Sequence, residues 1–434
     1  MKTAAIALLF GLPLGAQTVP AGFFNQTFFT TSNTSIITTQ GCRTWSVLNW
    51  SAIETSNGVY SFTGLDAYRA ACNNTNIVVS LGATPSFHSS NPSDSQCSVT
   101  MGTGGCDVPS DIGSTDAAWK AFTGALAAHW AAADAAHAHY YTVWNEPNQD
   151  TTHPSGSVMY AGTIAQMVTL ACDAHAAIHA ADAQAVVLSP DPTFDARYIA
   201  SSPVGVADWF AQFFAAGGNS CIDGVGFHYY PQVVVNGGGY YSTQSDPEMQ
   251  IGWVSALRTT MTSYGVGTLP IYVTEGSWGN VNGLTTLQES GYLLKWHLLL
   301  FNAGVSKAWW YAADANTSPG GTCQRYWGSL IDQTNGICAQ GTAYNWLLGL
   351  LAGASYRTGF NQPCAQAGDD TWSCLFTTAA GKRLQILWNS TFTGTRTVSI
   401  WAGYTVCENL DQTACTVSGN TVTLGANPII LATK

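Results

Sequence analysis

Charge is scarce in this chain. Asp, Glu, Lys and Arg make up 9% of its 434 residues, 14 of them basic and 25 acidic. A net charge of -11 with so few cations argues against a nucleic-acid or acidic-membrane partner. Long apolar runs are missing too. None approaches the ~18 residues that mark a membrane span, so no membrane anchor is expected. There is no Cys-x-x-Cys pair, which disfavours a zinc ribbon or a thioredoxin-type site. There is no Gly-x-Ser-x-Gly elbow, no Walker loop and no 20–50-residue repeat. What is plentiful is apolar: 46% hydrophobic and 12% aromatic residues, with 16 Trp. That content excludes disorder and is ample for a full core. The length admits two or three domains, or one large barrel with an appendage.

The N-terminus reads as a secretory signal over residues 1–16. Lys2 is followed by an apolar stretch from Ala4 to Leu14, and Leu14-Gly15-Ala16 is a plausible cleavage site. Twelve cysteines, an even number, fit export to an oxidising compartment. Pairing nearest neighbours gives six bridges: 42–72, 97–106, 172–221, 323–338, 364–374 and 407–415. The expected location is therefore extracellular or periplasmic.

Short β-branched or aromatic runs alternate with Ala-rich helical patterns through residues 17–352. The runs are Phe23–Phe28, Cys42–Leu48, Asn76–Pro85, His139–Pro147, Ala185–Pro192, Asp223–Pro231, Pro270–Trp278 and Ser306–Asp314. Helical patterns cover Thr115–Ala136, Met159–Ala181, Pro247–Tyr264, Thr286–Ala303 and Ala343–Leu351. Eight strands alternating with helices predict an α/β fold, a (β/α)₈ TIM barrel. Over residues 353–434 the texture becomes short alternating strands with Gly and Asn turns. That predicts a small all-β, sandwich-like domain packed directly on the barrel.

Catalytic groups of such barrels sit at the C-terminal strand ends. Strand four ends in Trp144-Asn145-Glu146-Pro147-Asn148 and strand seven in Thr274-Glu275-Gly276-Ser277-Trp278. Two glutamates facing each other across one mouth are what glycosidic cleavage needs, one to protonate the leaving oxygen and one to attack or to activate water.

These two segments resemble the clan A retaining glycoside hydrolases. Further matches are Arg43, Trp50, Gly58-Val59-Tyr60-Ser61-Phe62, Leu65-Asp66, Leu81-Gly82-Ala83-Thr84-Pro85, His228-Tyr229-Tyr230 and Trp309-Trp310-Tyr311. Their order is most similar to family 39 and its relatives, which include xylosidases, iduronidases and endoglycosidases, and the resemblance spans about residues 20 to 350. It implies Glu146 as acid/base, Glu275 as nucleophile, and Asn145 as a hydrogen-bond partner of the sugar 2-hydroxyl. Arg43 is the candidate cation to keep Glu275 ionised. Either Tyr229 or Tyr230 is a candidate partner of the nucleophile, and His228 of the sugar or the acid/base. Trp310 is the candidate platform under the sugar, with Trp309 then in the core. Trp278, Phe87 and Trp327 are weaker subsite candidates.

His175 and His179 stand four apart on a helical pattern, but with no adjacent Glu they do not make an HExxH site. They are set aside as structural. No metal and no cofactor is expected, and the chain is expected to act as a monomer on carbohydrate. The scarcity of charge favours a neutral sugar, with a local Arg still able to bind a uronic acid. A non-catalytic carbohydrate-binding barrel and a metal-dependent barrel hydrolase are the competing readings. The first has no use for both glutamates. The second lacks His and Asp ligands at strand ends beyond His228, Asp191 and Asp314.

Overall fold

The computed structural model describes residues 18–44, 48–150, 158–194, 205–230, 234–235, 239–240, 247–277, 285–314, 328–332, 336–356, 362–390 and 395–434. The expected signal segment, Trp278, Trp327 and Cys323 lie outside the described residues. Eight parallel strands close on themselves: β1 Phe24–Thr27, β2 Cys42–Thr44, β3 Val78–Ser80, β4 His139–Thr142, β5 Ala185–Leu188, β6 Val225–Tyr229, β7 Ile271–Gly276 and β8 Val305–Trp310. Strand β8 returns to β1 through the Phe24–Ala308 and Gln26–Trp310 pairs. Strand β5 meets β6 at the Leu188–Gly224 bridge, supported by Ser189 N–H donating to Gly224 O.

The regular strands are shorter than the apolar runs that predict them. Asn76–Pro85, for example, is regular strand only over Val78–Ser80, and residues 82–85 run on toward the mouth. The irregular look of residues 30–40 is real, because the first crossover holds only a 3-10 turn, Thr31–Ser35. Helices α1 Thr63–Ala71, α2 Ala117–Ala133, α3 Ile164–Ala181, α4 Gly205–Ala215, α5 Met249–Ser263, α6 Thr286–Asn302 and α7 Ala339–Leu351 form the outer ring. Both α3 and α6 start at a capping box, Thr163 with Gln166 and Thr285 with Gln288, so orphan backbone donors are met at their first turns. No described helix is long and apolar enough to cross a membrane.

The barrel has a packed floor. Tyr140 on β4 and Tyr272 on β7 touch with ring centroids 5.8 Å apart, which strands so far apart around the sheet can do only across the lumen. Val78, Leu188 and Trp309 complete this layer. Trp309 therefore points inward. Trp310, one residue on, points outward against the helices, in keeping with the period of two.

The C-terminal segment forms two antiparallel sheets. One holds Ser355–Tyr356, Thr371–Thr377, Arg383–Asn389, Ile429–Ala432 and Val406–Asn409, and the other holds Arg396–Ser399, Thr421–Leu424 and Val417–Ser418. Leu387, Ile400, Val422, Leu424, Ile429 and Leu431 fill the space between them, which makes a small sandwich. Helix α6 lies between barrel and sandwich and is buried without interruption from Glu289 to Asn302. Its Lys295 pairs with Glu248 at 3.2 Å, and Glu248 accepts from Trp388 Nε1 at 2.6 Å on the sandwich. Five of the expected bridges are present: Cys42–Cys72, Cys97–Cys106, Cys172–Cys221, Cys364–Cys374 and Cys407–Cys415. Cys338 is also disulfide-bonded.

Candidate active site

Each group of the mouth is aimed by its strand. Alternation along β6 turns Gly226 and His228 inward and Tyr229 outward. Strand β7 needs a correction to that rule. Inward Tyr272 would put Glu275, three residues on, outward. The β6–β7 register shifts between Val273 and Glu275, and this bulge brings Glu275 opposite His228 on the lumen side. Glu146 sits past the end of β4 at φ 46°, in the left-handed region that few side chains adopt. Such a backbone costs on the order of 1–3 kcal/mol and must be held by its surroundings. Here Glu146 N–H donates to Asp191 O at 2.9 Å and Glu146 O accepts from Gln149 N–H at 2.9 Å.

The side chains form one continuous network. Arg43 on β2 donates through Nη1 to Glu275 Oε2 and through Nη2 to Asn145 Oδ1 at 3.0 Å. Tyr230 donates its hydroxyl to Glu275 Oε1. His228 Nδ1 lies 2.9 Å from Glu146 Oε1, and Gln149 donates to Glu146 Oε2. One carboxylate oxygen of Glu146, one of Glu275 and a His228 nitrogen all lie within 4.8 Å of one another. Both glutamates are otherwise buried, with 10% of each side chain's surface left open to the mouth.

Burial opposes ionisation of Glu275, but the neighbouring His228 and Arg43 charges and the Tyr230 and Arg43 hydrogen bonds outweigh it and hold its pKa below the usual range. Burial likewise lowers the pKa of His228. The Glu275 charge and the facing Asp191 and Glu146 carboxylates more than reverse this against Arg43, pushing it up to about 9. Arg43 Nη2 also lies 3.2 Å from His228 Nε2, which joins the histidine to the Arg43–Glu275 pair. Burial first, then the Glu275 charge, raises the Tyr230 pKa well above its ordinary value, so it stays a donor.

Asp191 is the group whose part is plain only in the fold. It is fully buried on the loop after β5, its Oδ2 3.6 Å from His228 Nε2. Its main chain brackets strand four's end, with Asp191 N–H donating to Trp144 O and its carbonyl accepting from Glu146 N–H. A Cβ at Gly226 would stand 2.1 Å from Asp191 Oδ1, so only glycine there makes room for this carboxylate. Gln149, three residues after Glu146, is the other participant that the motif does not announce.

Two expected sugar contacts are corrected. Trp310 is buried on the helix side of the sheet, edge-on to Trp296 at 5.3 Å and stacked on His297 at 5.7 Å, with Nε1 donating to Gly328 O. It cannot lie under a sugar in the lumen. Tyr229 likewise faces the outer core, so of the two tyrosines Tyr230 is the partner of Glu275. Phe87, in the loop after β3, is 47% exposed beside His88. Asp314 is used structurally, accepting from Phe29 N–H, Thr30 N–H and Asn33 Nδ2.

No family model matches the sequence, and no curated protein matches it. Solved structures do share its fold. The chain is similar to a family 39 β-xylosidase from Caulobacter crescentus, 14% identical over 97% of this chain and 98% of that one, at a TM-score of 0.65. It is similar to a family 39 glycoside hydrolase from Bacteroides cellulosilyticus, 16% identical over 91% and 75% of the two chains, at 0.62. It is also similar to a family 51 arabinofuranosidase from Xanthomonas axonopodis pv. citri, 12% identical over 96% and 97%, at 0.54.

Proposed function

We propose that the chain is a secreted retaining glycosidase, cleaving O-glycosidic bonds of plant or microbial oligo- or polysaccharide by double displacement. The observation that carries this is the carboxylate pair: Glu146 and Glu275 oxygens within 4.8 Å across one mouth. Retaining enzymes hold their carboxyls about 5–5.5 Å apart, whereas inverting ones need roughly 6.5–9.5 Å to admit a water. The likeness to family 39 folds and the disulfides support the reading of a glycosidase made for export.

In the first step Glu275 attacks the anomeric carbon while Glu146 passes its proton to the leaving oxygen, giving a glycosyl ester. In the second, Glu146 takes a proton from water, the water oxygen attacks the anomeric carbon, and Glu275 is released. Arg43 and Tyr230 hold Glu275 ionised and aimed. His228 and Gln149 fix the two oxygens of Glu146. Asn145 spends its oxygen on Arg43, which leaves its amide nitrogen as donor toward the sugar 2-hydroxyl. A binding-only barrel would gain nothing from burying two carboxylates at this cost.

The test is a panel of aryl glycosides and polysaccharides with proton NMR of the first-formed product. The same anomer as the substrate is expected, and an inverted one overturns the mechanism. Glu146→Ala should lose about 10²–10⁴-fold on poor leaving groups and far less on activated aryl glycosides, which need little protonation. Equal loss on both contradicts the acid role.

A further inference from the structure

We propose that His175, His179 and Asp223 form a binding site for a borderline divalent metal of the Zn²⁺ class, at the end of the barrel away from the mouth. The histidines face the same way from the last turns of α3, their rings 4.4 Å apart. The carboxylate, absent from their sequence neighbourhood, comes from Asp223 at the start of β6. His175 Nε2 lies 3.4 Å from Asp223 Oδ1 and His179 Nε2 lies 2.9 Å from Oδ2. Donors around a tetrahedral zinc stand about 3.3 Å from one another, the edge that bonds of ~2.0–2.1 Å generate. Two imidazoles and one carboxylate match the donor preference of Zn²⁺ and leave a fourth position for water.

The site is built rather than incidental. Asp223 Oδ2 also accepts from Val187 N–H at 2.8 Å, and Asp223 N–H donates to Val187 O at 2.7 Å, so the carboxylate is oriented by β5. The Cys172–Cys221 bridge joins the same helix to the same strand entry, three residues before His175 and two before Asp223. Ligands at i and i+4 on a helix, with the third donor covalently tethered to that helix, lose little freedom on binding. All three side chains keep about a third of their surface or somewhat less in solvent, which gives an ion a path in. Among the described residues, the cluster at Asp94 and Asp107 has its two cysteines tied up in the 97–106 bridge and offers no thiolate. The bound ion clamps α3 to the barrel, with no part in sugar chemistry.

Isothermal titration of ZnCl₂ into untagged, EDTA-treated, disulfide-intact protein tests this. One equivalent should bind to the unaltered chain, and His175→Ala/His179→Ala should weaken that event by at least ~10-fold. Binding that survives the double substitution, or no binding to the unaltered chain, overturns the proposal. Co²⁺ gives a second readout without any substitution. A visible ligand-field band that excess Zn²⁺ bleaches supports the site, and its absence overturns it.

Discussion

The two ends of the barrel lumen are built from the same strands and opposite chemistry. At the floor Val78, Tyr140, Leu188, Tyr272 and Trp309 pack as an apolar layer. At the mouth Arg43, Glu146, Asp191, His228 and Glu275 crowd five ionisable groups into a buried space. Strand β7 carries Tyr272 to one layer and Glu275 to the other, with the bulge between them switching the phase. The floor gains stability from area removed from water. The mouth accepts desolvation and a strained Glu146 backbone in exchange for preorganised charge. Stability and chemistry are thereby separated along the barrel axis, and each end should fail in its own way.

The largest effect belongs to the mouth. Glu275→Gln keeps the shape and removes the charge. Turnover per folded molecule should fall on the order of 10⁴-fold or more. Stability should fall as well, by up to about 3–5 kcal/mol, because Arg43 stays buried without its anion; alanine adds the loss of the side chain's shape. At the floor, Trp309→Ala should cost about 3–5 kcal/mol of stability by denaturant titration, with kcat per folded molecule preserved. A collapse of kcat in the folded fraction would break the separation. Third is a pH effect on the mouth alone. The folded-state pKa of His228 is raised to about 9, so the stability it contributes is full below its ordinary value and disappears as pH climbs through about 9. Between neutral pH and about 9.5 roughly 2 kcal/mol should be lost in unaltered protein and not in His228→Gln, read from melting curves. The smallest expected effect is that of Tyr230→Phe, which removes one hydrogen bond to Glu275, the proposed nucleophile. It should lower kcat about 10-fold and lift the acidic limb of the pH–rate profile, since Glu275 loses one of the donors that hold its pKa down.

Much of this organisation is legible in the sequence. The strand-end glutamates and the eight-strand order follow from spacing and residue type, Arg43 comes with the clan A resemblance, and the nearest-neighbour cysteine scheme agrees with the five bridges described. What was hidden is physical in origin. A period of two cannot choose between Trp309 and Trp310 when both are aromatic, nor between Tyr229 and Tyr230. Strand register decides, and in β7 a bulge overrides the period altogether. Asp191 belongs to no contiguous motif with its partners, and Gln149 lies one residue past the Trp144–Asn148 motif, where its residue type alone does not mark it. Asp191 meets His228 only because β5 and β6 are adjacent and Gly226 has no side chain. Asp223 completes the His175–His179 pair for the same reason of adjacency.

Helix α6 carries a further consequence, for synthesis. It is covered by the barrel on one side and the sandwich on the other, and the sandwich places its last strand, Ile429–Ala432, in the middle of its main sheet between Arg383–Asn389 and Val406–Asn409. Strand Ile429–Ala432, made more than a hundred residues after α6, is thus part of what covers the outer face of that helix. Until then Gly291, Lys295 and Asn302 of α6 lack the cover they take from Pro428, Trp388 and Cys364. A chain stopped near residue 353 would leave this face of α6 without those partners.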